Sequence, residues 1–320
     1  MPQMDFKRDI ADEIVRYFDE HSITLDRSKS EDPQFLVERC FPVNATMISQ
    51  SPRSVHWSAE LRARLNTLEE RYRRPLAEIE RRFATGDDLA EFLSKRVLDS
   101  ARSDGMLNDF GLHHLHLGRK ANPDDEHVER SDWFLFAGVG ADEVLFVDVR
   151  RHPQLGDADD FGWSDPELLD IIRRNWPNIL RSHQLQGVSG DTLSDRERKE
   201  LRRKNMNVVT RVGDMAIAPP GGGTTASGAN LKHVWKAMRL CRLAQHTQEL
   251  IETNWAECRH DLRGAGLEVE DDAEFRLVRL DEEDLTPEVL GVLTSELGRS
   301  GWMVLHVASG KHIDWNFESQ

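Results

Sequence analysis

The most unusual local feature of the chain is a cluster of histidines. Residues 112–117 read LHHLHL, and His152 closes the run DVRRH at 148–152. Side chains alternate between the two faces of a strand, so His114 and His116 share one face with Leu112, while His113 points away with Leu115 and Leu117. Arg150 and Arg151 stand beside His152. If these segments belong to paired strands, His114, His116, His152 and Arg150 converge at one end of a sheet. Such a group could deprotonate an RNA 2′-hydroxyl, protonate the leaving oxygen and stabilise a charged phosphorane without a metal. Imidazole suits that work because its unperturbed pKa is about 6.5. Asp109, in the Asn108-Asp109 turn, is the candidate for orienting one of the rings.

The same residues admit two other readings. His114 and His116 could hold a metal, with Asp148 or His152 as a third ligand. No HExxH, cysteine ligand pair or DxD-like motif accompanies them, so no metal site is assigned. The plainer reading has the histidines bonded to backbone or carboxylates along a half-buried sheet. Glu143, Asp148 and Arg150 are faintly similar to the acid–x–basic pattern of metal-dependent nuclease cores, with arginine where lysine is usual. There is no GxSxG elbow, and no cysteine lies in a catalytic setting.

A second candidate is the loop PPGGGTTASG at 219–228, immediately before a helix. Glycines let successive N–H groups point inward, and a helix N-terminus adds partial positive charge. Gly221, Gly222, Gly223, Thr224, Ser227 and Lys232 are therefore the candidate anion-binding residues. The loop departs from a P-loop: Gly223 and Gly228 have the GxxxxG spacing, but Ala229-Asn230 replace the Lys-Ser/Thr pair. The alternative is a flexible loop or a partner-contacting hairpin exit.

Positioning these residues requires an α+β fold. Apolar spacing predicts a helix over 5–20, then a turn-rich stretch through residue 56. It predicts a helical hairpin from the Ser58 N-cap to Leu98, interrupted near Pro75. Three strands follow, at 112–117, 133–139 and 143–149, the last two forming a hairpin. After a loop over 153–163, a helix opens at Ser164-Asp165-Pro166-Glu167 and runs through Trp176. Gly187–Gly190 is the candidate linker, dividing the chain into domains 1–186 and 187–320. The second half predicts a charged helix at 195–204, a hairpin over 208–218 and a long helix over 230–263. A strand at 275–280, a helix at 286–297 and a strand at 302–307 complete it. The long helix reads as core or as an oligomer seam.

A helical hairpin followed by antiparallel strands bearing His and Arg is similar, over about residues 58–152, to small metal-independent ribonuclease toxins. These include the RelE-type and colicin-type nucleases of bacterial conflict systems. The resemblance lies in the order of elements; it implies a ribonuclease of defence type and assigns no residue.

The composition bounds these readings. The chain has 320 residues, a formal charge of −15, eight Trp and thirteen Phe, enough to build real cores. No stretch reaches the roughly 18 apolar residues of a membrane span. The N-terminus carries charges where a signal peptide is apolar. Three distant cysteines without CxxC pairing suit a reducing cytoplasm, which is the expected location. The charge is uneven: residues 191–243 carry eleven Lys/Arg against five acids, and 265–320 carry thirteen acids against four bases. A basic face for RNA or another phosphate-bearing ligand is thus compatible with an acidic chain. The first expectation is a metal-independent ribonuclease or other phosphodiester-acting protein, needing no cofactor. The second is a non-enzymatic recognition or assembly protein gripping its partner with the glycine loop. The third is a histidine-ligated, metal-dependent hydrolase.

Overall fold

The computed structural model describes residues 1–25, 32–94, 97–101, 104–118, 128, 131–151, 166–189, 193–280 and 302–315. His152, the loop at 153–163 and the helix expected over 286–297 lie outside the described residues. The chain runs through α1 (Phe6–Glu20), α2 (Pro33–Thr46), β1 (Ser54–Trp57), α3 (Ala59–Arg64), α4 (Glu70–Thr85), α5 (Gly105–Phe110), β2 (His113–His116), β3 (Trp133–Val139) and β4 (Glu143–Arg151). It continues with α6 (Glu167–Asn175), α7 (Pro177–Arg181), α8 (Asp195–Arg203), β5 (Thr210–Val212), β6 (Met215–Ile217), α9 (Leu231–Thr253), α10 (Trp255–Gly264), β7 (Phe275–Arg279), β8 (Trp302–His306) and β9 (Lys311–Ile313). The class is α+β, with antiparallel and mixed sheets. Among the described residues no helix is long and apolar enough to cross a membrane.

Packing gathers the chain into two compact units: Pro42–Lys232, and Met1–Phe41 together with His233–Gln320. This division differs from the break expected at 187. The chain leaves α7, turns, and comes back: Leu185 and Ala218 exchange backbone bonds with Ala216 and His183. Val212 and Ile217 then join Leu168, Ile172 and Leu180 in one apolar cluster. Gly187, at φ +71°, lies in the turn before this return.

In the unit Pro42–Lys232 a four-stranded sheet has the order β1-β4-β3-β2. The pairs β2–β3 and β3–β4 are antiparallel, whereas β1 runs parallel to β4. β1 has no sequence signature because it is four residues long and alternates between exposed and half-buried positions. The near-continuous apolar runs of β3 and β4 follow from cover on both faces. Leu61, Leu76, Ile79 and Phe83 pack on one side against Leu115, Leu135 and Phe146. Met106, Phe110, Leu168 and Ile172 pack on the other against Phe134, Phe136 and Val147. Ser58 caps α3 as expected, accepting the Leu61 N–H at 2.9 Å and donating to Val147 O at 2.6 Å. The last part of the expected hairpin, up to Leu98, holds a single 3-10 turn at Ala90–Phe92 among the described residues, and Pro75 sits inside α4. α2 was hidden by its own prolines, since Pro33 opens it and Pro42 lies within it.

In the other unit, β7, β8 and β9 form an antiparallel sheet against which α1 packs. Gln248 of α9 accepts the Phe6 N–H at 3.0 Å and so satisfies one orphan donor at the start of α1. The helix expected over 230–263 is broken at Asn254 into α9 and α10.

Candidate acid–base site

β2 lies at an edge of its sheet, and its register decides what the histidines meet. His114 is opposite Phe136, which is opposite Asp148; His116 is opposite Phe134, which is opposite Arg150. Directly opposed residues share a face. His114, His116 and Arg150 therefore occupy one face, as the alternation predicts, yet they do not form one site. Phe134 stands between them, its ring centroid 4.5 Å from that of His116 and 5.7 Å from that of His114. Arg150 is bound to carboxylates, with Asp148 at 3.1 Å and Glu167 at 3.0 Å. Asp148 is fully buried, receives Arg64 as well at 2.8 Å, and takes its neighbour's Val149 N–H. Arg150 and Asp148 thus neutralise each other inside the protein, where a lone buried charge would be costly.

Among the described residues the carboxylate of Asp109 meets Arg202, at 2.5 Å, and not an imidazole. Asp104 is an acid that does stand beside one of the clustered histidines. As N-cap of α5 its Oδ1 accepts the N–H groups of Met106 and Leu107, each at 3.0 Å. Its Oδ2 faces Nδ1 of His114 at 3.6 Å, with both side chains largely buried. Two backbone bonds fix the carboxylate, and the carboxylate then favours the ring orientation that turns Nδ1 toward it.

His113, on the alternate position, is also placed by backbone. Its Nε2 lies 2.9 Å from Ala45 O, and because a carbonyl only accepts, Nε2 is the nitrogen that carries hydrogen. Its Nδ1 is sealed from solvent with no hydrogen-bond partner among the described residues. Burial lowers the pKa of this ring, so it is held neutral. His113 and His114 border one recess of about 480 Å³, its open mouth included, between α2, β2 and the start of α5. Val43, Leu93 and Val97 give it apolar walls, and Thr46, Ser94, Asp99 and Asp104 its polar ones. Of these, Asp104 had a legible signal, an N-cap type before a short apolar repeat. Its approach to His114 had none.

The glycine loop is engaged by the protein itself. Gly221 and Gly223 donate their N–H groups to Asp109 O at 3.3 Å and Asn108 O at 2.8 Å, satisfying carbonyls at the end of α5. Gly222 donates to Pro219 O, and Thr224 to Asn207 Oδ1. Lys232 bonds Pro220 O at 2.7 Å, and Ser227 bonds the Thr225 hydroxyl. The N–H groups that an anion cradle would present point to protein oxygens, so the loop is a clasp on α5.

Among the described residues no three His, Cys, Asp or Glu side chains assemble as a metal-ligand set. Cys40, Cys241 and Cys258 are free thiols and buried. Burial pushes Cys241 and Cys258 up to about 11, away from thiolate chemistry. Comparison with protein-family models, curated proteins and solved structures found no match.

Proposed function

We propose that this chain is an enzyme working by side-chain acid–base chemistry at the β2-edge recess, with His114 moving the proton and Asp104 positioning it. The observation that carries this reading is the pairing of a backbone-fixed carboxylate with an imidazole at the wall of a recess. A base so placed takes a proton from a water or hydroxyl as it attacks a carbonyl or phosphoryl centre, and returns it to the leaving group.

The surroundings favour a small, uncharged or cationic substrate over RNA. Arg150 is engaged by Asp148 and Glu167, and the glycine loop by α5. Asp99 and Asp104 put two carboxylates on the recess wall, which opposes a phosphate. An ester is the simplest substrate of the favoured kind.

The test compares the full chain with His114→Gln and Asp104→Asn, in EDTA, on p-nitrophenyl acetate, bis-p-nitrophenyl phosphate and an RNA oligonucleotide. Ester hydrolysis should fall about 100-fold or more in His114→Gln. Asp104→Asn keeps an oxygen for the α5 cap and should lose less. Equal rates in wild type and His114→Gln would remove the proposal. RNA cleavage that depends on His114 would keep the centre and return the substrate class to phosphodiesters.

A further inference from the structure

α9 buries Ala237, Leu240, Cys241 and Ala244 and turns another stripe outward. Trp235 is 71% exposed and Met238 44%, and Arg239 and Arg242 are exposed beside them. These four positions have the i, i+3, i+4, i+7 spacing of a single helical face. Lys236 stands next to the stripe, its ammonium 5.7 Å from the Phe41 ring centroid. The sequence carries no acid between Asp214 and Glu249, although the chain as a whole is at −15. An exposed tryptophan is a large unburied apolar surface, and Trp and Arg are the side chains that most often anchor interfaces.

From this we infer that the Trp235–Arg242 face of α9 is a docking surface for an acidic amphipathic helix of a partner protein. The spacing matches the anchor pattern of helix-on-helix recognition, in which apolar side chains at three- and four-residue intervals meet a partner's apolar stripe. Exposed Lys236 and Arg242 give this acid-free face positive charge, which carboxylates on a partner complement. A second copy of this chain fits less well, because a two-fold contact brings this acid-free, basic segment against itself and supplies no carboxylates. Single-stranded nucleic acid fits less well: the stripe has one aromatic ring, and Met238 offers a base no π-face to stack on.

The experiment uses the full-length chain and a fluorescein-labelled designed peptide, Glu-rich with leucines on one helical face. Anisotropy titrations compare it with a peptide of the same composition whose leucines are scattered around the helix. An RNA oligonucleotide and phosphatidylserine vesicles are titrated in parallel. Wild type should bind the one-faced peptide at least tenfold more tightly than the scattered one. Trp235→Ala/Met238→Ala should weaken that binding at least tenfold, as should Arg239→Glu/Arg242→Glu, with circular dichroism unchanged. Raising salt should weaken the wild-type complex. Equal binding of the two peptides, or binding indifferent to both double variants, would overturn the inference. So would Trp235-dependent binding of RNA or vesicles without the peptide.

Discussion

His113 and His114 are adjacent in the chain and differ in what they can do, because a strand turns neighbours to opposite faces. His114 meets a carboxylate; His113 meets a carbonyl and is pressed neutral by burial. The second fact has a pH consequence. The folded-state pKa of His113 lies below its unfolded value of about 6.5, so below that pH the unfolded chain takes up a proton more readily. Stability contributed by the neutral ring is complete above about pH 6.5 and is lost as pH falls toward the depressed folded value. His113→Gln, whose amide can still donate to Ala45 O, should lose less stability than wild type between pH 7 and pH 5. Urea midpoints at the two pH values would check it. At this scale the faces of His114 and His116 were legible, since alternation by two follows from strand geometry alone. That Arg150 would be neutralised by Asp148 and Glu167 was not legible, because it depends on register and on a helix beginning sixteen residues beyond β4.

Among the elements, α5 holds the candidate site together, and both its ends are fixed by contacts. Asp104 fixes its N-terminus; Gly221 and Gly223 bind carbonyls near its C-terminus. Gly221 comes so close that a Cβ there would lie 1.8 Å from Leu107 O and 2.4 Å from Asn108 O, both rigid backbone. Gly221→Ala must push the clasp off the helix and should cost about 3 kcal/mol, the upper range of overpacking. Gly266 has φ +79° and nothing within 4 Å of an added Cβ, so Gly266→Ala should cost only the strain of a left-handed backbone, about 1 kcal/mol. Equal losses in urea denaturation would show that the clasp is not what the loop provides. The elements legible in the sequence were those with apolar runs, caps or clear turns: α1, α6, α8, strands β2 to β8 and the Ser58 start. The glycine loop was recognisable as special, but glycine serves equally where a ligand approaches a backbone and where another backbone does.

Across the whole molecule, both ends of the chain contribute to one compact unit and the middle makes the other. Composition could not reveal this, because a linker's Gly and Ser also make turns, and only the return of β5 and β6 onto α6 and α7 distinguishes the two. The division can be tested through two titrating groups that act in opposite directions. Asp9, in the unit formed by the two ends, accepts the Leu277 N–H at 2.8 Å, and burial holds its carboxyl up at about 6. A carboxyl raised in the folded state favours folding when protonated, so this unit loses stability as pH climbs from about 4 to about 6. His113, in the unit Pro42–Lys232, works the other way. Asp9→Asn should therefore raise the transition of the first unit at pH 7. The gain should be about 1 kcal/mol once the half-exposed setting is allowed for, and should vanish near pH 4. His113→Gln should leave that transition alone and act on the other at pH 5. Differential scanning calorimetry of both variants at the two extremes separates the cases. Shifts confined to separate transitions follow from independently folding units, whereas one transition moved by both substitutions would mean that the units unfold as one cooperative body.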